Sequence, residues 1–117
     1  MPRFLERHLE FSQFHMVLGE DAEFEGKIEV PEALWIRGRV KGEVASSGEV
    51  VISEEGALEG EVEARAVQVR GTVQGKVSCG GLVELFPSGK VGGEIDTKEL
   101  VIQRGARFSG ECRMEGV

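Results

Sequence analysis

Leu58-Glu59-Gly60-Glu61-Val62, followed by Val67-Gln68-Val69, is the stretch whose reading decides the fold. Its apolar residues alternate with charged or amide side chains, and alternation with a period of two marks a half-buried strand. The first phrase, apolar–x–Gly–x–apolar, recurs as Phe24-Glu25-Gly26-Lys27-Ile28, Val40-Lys41-Gly42-Glu43-Val44 and Val73-Gln74-Gly75-Lys76-Val77. It returns twice more, as Val91-Gly92-Gly93-Glu94-Ile95 and Phe108-Ser109-Gly110-Glu111-Cys112. The central glycines stand 16, 18, 15, 18 and 17 residues apart. Between them the second phrase recurs as Leu34-Trp35-Ile36, Val50-Val51-Ile52, Val83-Glu84-Leu85 and Leu100-Val101-Ile102. Such self-similarity at a fixed period is the signature of a repeat architecture.

Each repeat holds about three short strands joined by corners. Corner chemistry shows in Glu54-Glu55-Gly56, Cys79-Gly80-Gly81, Pro87-Ser88-Gly89 and Arg104-Gly105. So short a repeat cannot close a sandwich, but it suffices for one coil of a β-solenoid, in which each strand pairs with its equivalent in the next coil. The expected fold is all-β, a right-handed parallel β-helix of about six windings of roughly 17 residues. At a strand spacing of about 4.8 Å it makes a rod on the order of 30 Å long. Parallel crossovers favour the right hand, and the drift in repeat length argues against the stricter left-handed hexapeptide class.

Composition agrees. Seventeen of the 117 residues are glycine, roughly twice the usual share of about 7%. With only three prolines this is not collagen. An apolar share of 40%, rich in Val and Ile, argues against both disorder and helix. Two roles are open for the central glycine of each repeat. It could face inward, letting a narrow coil pack where a side chain would not fit, which period-two facing favours; or it could mark a local bend or bulge.

Fourteen Lys and Arg against 21 Asp and Glu give a formal net charge of −7. Such a surface repels phosphate backbones, so nucleic acid is not an expected partner. No apolar run is long enough to cross a membrane as a helix, and the N-terminus lacks the pattern of a secretory signal. The expected location is cytoplasmic.

The ensemble of Gly-centred repeats, the period near 17 and the small acidic domain with short flanking tails resemble the bactofilins, a family of bacterial cytoskeletal proteins. The resemblance spans about residues 19–115. It implies a right-handed β-helix of triangular cross-section that assembles end to end into filaments without nucleotide and without overall polarity. It further implies association with the inner face of the cytoplasmic membrane through a short N-terminal tail, and service as a scaffold for cell-shape and envelope-synthesis proteins.

The residues offer little chemistry. Both histidines, His8 and His15, precede the first repeat, so a three-His zinc site is excluded by counting. Gly71-Thr72-Val73-Gln74-Gly75-Lys76-Val77 is one residue short of a phosphate loop and lacks the hydroxyl residue after its lysine. Glu59, Glu61 and Glu63 read as a solvated face, because corners this short leave no cleft for a glycan-cleaving site. Cys79 and Cys112 have no metal-type spacing and fall at inward positions, where buried structural thiols are expected. Neither an enzyme nor a cofactor is expected.

Function is therefore sought at the ends of the stack, where solenoids leave unpaired edges. The column before the central glycine reads Phe24, Val40, Leu58, Val73, Val91, Phe108, with aromatics in the first and last coils. Phe24 and Ile28 at one end, and Phe108, Cys112 and Met114 at the other, are the candidate polymer contacts. Residues 1–16 are read as a separate tail and 17–117 as the β-helix domain. The tail carries Phe4, Leu5, Leu9, Phe11 and Phe14, the candidate membrane contacts, although its apolar residues do not form one clean helical face. The expected function is a self-assembling, membrane-associated filament scaffold. The alternative is a β-solenoid adaptor that presents its acidic face to a protein partner.

Overall fold

The computed structural model describes residues 8–10, 15–19 and 21–114. Its strands are β1 (His8–Glu10), β2 (His15–Leu18), β3 (Glu23–Val30), β4 (Ala33–Ile36), β5 (Arg39–Ser46) and β6 (Glu49–Ile52). They continue as β7 (Ala57–Val69), β8 (Thr72–Leu85), β9 (Lys90–Thr97), β10 (Glu99–Ile102) and β11 (Arg107–Met114). Every pairing is parallel, and each strand bonds to its equivalent one coil away. The chain is an all-β solenoid of about five turns. The count falls below six because the sixth glycine phrase contributes β11 alone among the described residues.

The sequence columns reappear as ladders. Phe24, Val40, Leu58, Val73, Val91 and Phe108 stack in register on the side before the glycine. Leu34, Val50, Val67, Val83 and Leu100 stack on the third side. Together with the column from Ile28 to Ile95 they fill one continuous core. Each Val, Leu or Ile so buried contributes about 1.5–3 kcal/mol relative to exposure.

The repeat glycines separate the first side of each coil from the second. Gly60 has φ of +133°, and the equivalents at 26, 42, 75, 93 and 110 have values between +123° and +137°. Side chains rarely tolerate that backbone, and the chain bends there while staying in the ladder. A Cβ added at Gly60 would lie 1.9 Å from the carbonyl oxygen of Gly42 in the preceding coil. The glycine thus answers to a bend and to a close approach along the stack. Inward packing across the core, favoured by alternation alone, is not its role.

The corner between second and third sides uses polar residues at the inward column that runs Val30, Ser46, Ala64, Cys79, Thr97. Ser46 Oγ donates to the Glu32 carbonyl at 2.9 Å. Thr97 Oγ1 lies 2.9 Å from the Gly81 carbonyl and 3.0 Å from that of Glu99, so the one buried polar side chain among the described residues is satisfied. Cys79 Sγ, also buried, sits 3.1 Å from the Arg65 carbonyl and 3.3 Å from that of Leu82. These bonds hold the corners where the chain turns out of the ladder.

Candidate functional site

The two ends of the stack differ. At the N-terminal end β1 pairs with β3, setting Leu9 against Ile28, and β2 pairs with β4, setting Met16 against Leu34 and Leu18 against Ile36. Beneath that layer Phe24 is 3% exposed and Ile28 is 0% exposed. Both were expected at an exposed terminal coil. They lie in the core instead, because the strands before the first glycine phrase extend the stack past it. Of the candidate membrane contacts, Leu9 falls in β1, while Phe4, Leu5, Phe11 and Phe14 lie outside the described residues.

The C-terminal end is open. β10 pairs only with β8, and β11 only with β9, so among the described residues each has one edge with no partner strand. Cys112 is in register with Ile95, which is buried, yet Cys112 itself is exposed. The expectation of a buried thiol fails there because an inward position is covered only when another coil lies above it. Met114 is 51% exposed, and Phe108 is half-buried against the core.

Two further residues complete this surface. Ile102, 46% exposed, and the half-buried Leu100 occupy the last rung of the third-side ladder. Sequence reasoning placed both on an inward face but did not assign them to the end. The signal was present, since Leu100-Val101-Ile102 is the last copy of its phrase. The end therefore presents five inward-column residues, Leu100, Ile102, Phe108, Cys112 and Met114, beside two strand edges that no described strand pairs. An apolar surface framed by unsatisfied strand edges is suited to pairing with another edge of the same kind.

Among the described residues, no three His, Cys, Asp or Glu side chains group as a metal site. Glu59, Glu61 and Glu63 are exposed on the surface, and Glu59 lies 4.0 Å from Lys41. A groove of about 1130 Å³ lies at the second corner, where Glu29, Glu63 and Asp96 and the cation Arg65 stand among mostly small residues. Among the described residues no helix is long and apolar enough to cross a membrane.

Residues 16–113 match the family described as "Bactofilin: Polymer-forming cytoskeletal". The chain belongs to the bactofilin family. No curated protein and no solved structure matches it. The matched span of this bactofilin runs from the second residue of β2 to within one residue of the end of β11, so it covers the whole ladder of glycine phrases. The family is a structural, polymer-forming one, not a family of enzymes.

Proposed function

We propose that this bactofilin assembles end to end into filaments, with the open C-terminal end as a self-complementary contact. The observation that carries this reading is the rung formed by Leu100, Ile102, Phe108, Cys112 and Met114, which continues the core columns to a surface that no described strand covers. Docking two such ends extends the core and satisfies both strand edges without a bound nucleotide. Joining like ends by a two-fold axis, C-terminal end to C-terminal end and N-terminal end to N-terminal end, makes a filament with no overall polarity. The filament is a cytoskeletal scaffold for envelope-synthesis or cell-shape proteins, lying on the inner face of the cytoplasmic membrane.

Negative-stain microscopy and light scattering on the purified full chain, without cofactor, test the assembly. The wild type forms filaments. Phe108→Arg keeps the fold, because its side chain is only half-buried, but puts an unpaired charge into the junction and remains a small species. Normal filaments from that variant sink the end-contact reading, and a stable small species from the wild type favours an adaptor.

The membrane contact is assigned to Phe4, Leu5, Phe11 and Phe14 of the tail, a weak anchor that gains strength when many copies line one filament. Changing these four residues to serine leaves the residues of β1 and β2 intact. Co-sedimentation with liposomes should fall by at least about tenfold, as filament avidity magnifies a small loss per copy. Equal sedimentation of variant and wild type removes the anchor.

A further inference from the structure

The three outer faces of the rod differ in kind. From β3 to β11, outward positions on the first and second sides carry only charged, polar, glycine or alanine residues. The third side breaks that pattern. Its outward positions hold Trp35, Val51, Leu82, Phe86 and Val101. Trp35 is 48% exposed and Val101 is 43% exposed, while Val51 is buried although it faces outward. The grooves at the second corner and beside Phe108 include none of these five residues, so they lie on the flat of the sheet. A half-exposed indole on an outer face adds nothing to the core, and an apolar patch so placed marks a contact surface.

Charge separates the sides as well. On the second side the acids from Glu29 to Glu111 outnumber the cations Lys27, Lys76 and Arg113, so that side repels anionic headgroups. On the third side, the column just past each strand places Arg37 and Arg70 two coils apart, with Ser53 between them. The acid at that end, Glu49, accepts a hydrogen bond from Gln68 Nε2 at 2.9 Å. Glu84 and Glu99 stand toward the other end, and Glu84 accepts from Gln103 Nε2 at 2.8 Å. The Arg70 guanidinium stacks 4.2 Å above the Phe86 ring, which holds it over the face. The chain also enters this side beside its tryptophan. β2 pairs with β4 and sets Val17 in register with Trp35. Phe14, a tail residue assigned above to the membrane, immediately precedes β2.

We infer that this bactofilin rests its third side on the lipid bilayer, with Trp35 among the headgroups and Arg37 and Arg70 against their phosphates. The inference rests on the membrane reading above and adds to it a second contact, on the folded domain itself. Indoles favour the membrane–water interface, which accommodates both an apolar ring and a polar N–H. Guanidiniums beside the ring add attraction to an anionic leaflet. One such patch per copy is a weak contact, and many copies in one filament strengthen it. A bilayer is the occupant because the patch is flat, combines apolar with cationic side chains, and continues from the tail.

Trp35 is the single tryptophan of the chain, so intrinsic fluorescence reports on this contact alone. Emission is recorded from full-length filaments alone and with vesicles of phosphatidylethanolamine and phosphatidylglycerol. Adding vesicles should move the emission to the blue, and vesicles brominated on their acyl chains should quench it. Trp35→Ser should keep the circular dichroism and the filaments, because the side chain is already half in water. Co-sedimentation of that variant with vesicles should fall at least about threefold. Emission unchanged by vesicles that do co-sediment with the filaments overturns the proposal and leaves the tail anchor in place. A blue shift on assembly without lipid, and none on adding it, assigns the side to a contact between copies and also overturns it. Wild-type filaments that bind no vesicles remove the membrane reading itself, and this inference with it.

Discussion

The first and last steps of each ladder in this solenoid are built from the same kinds of residue and meet opposite fates. Ile28 and Cys112 occupy one inward column, as do Leu34 and Leu100, yet Ile28 and Leu34 are sealed while Cys112 is exposed and Leu100 is half-covered. The difference is what lies above each: β1 and β2 cover the first rung, and no described strand covers the last. In a solenoid, burial is thus a property of position in the stack as much as of the side chain. An apolar inward residue is core where a coil follows and contact surface where none does.

The covered part is the place for the largest effect. Gly60→Ala inserts a methyl group 1.9 Å from the Gly42 carbonyl oxygen and forces φ of +133° on a residue with a Cβ. Backbone strain and overpacking together should cost about 4 kcal/mol, read as a fall in the urea midpoint. Neutral behaviour would mean that adjacent coils are not stacked glycine on glycine.

A smaller contrast compares the two rungs directly. Ile28→Ala empties a fully buried site and should destabilise by about 3 kcal/mol. Ile102→Ala at the open end should cost less than about 1 kcal/mol in the unassembled chain, because 46% of that residue is already in water. Urea unfolding of both variants in a Phe108→Arg background keeps assembly from contributing to either value. Equal losses would mean that the C-terminal rung is covered even in the single chain.

Much of the ladder was legible in the sequence because side-chain alternation and repeat period are side-chain signals. The columns from Phe24 to Phe108 and from Leu34 to Leu100 are in register as the phrases align them. The role of the central glycine was not legible, because a period-two pattern reports which face a residue occupies and is blind to the sign of φ. Nor was the covering of Phe24 and Ile28: His8–Glu10 and His15–Leu18 carry no glycine phrase, so nothing in the repeat marks them as rungs. The candidate site was half legible. Phe108, Cys112 and Met114 were assigned to the C-terminal end, whereas Leu100 and Ile102 joined it only once the third-side ladder showed β10 to be its last strand.

The central claim, that the open C-terminal rung becomes buried on assembly, is tested most directly by the two free thiols. Cys79 is buried in the single chain and Cys112 is exposed, so a water-soluble thiol reagent should label one cysteine rapidly in the non-assembling Phe108→Arg chain. In wild-type filaments the account predicts that Cys112 is protected as well, with labelling slowed by at least about tenfold as the rung is occluded. Equal labelling of Cys112 in filaments and in the unassembled variant would contradict it.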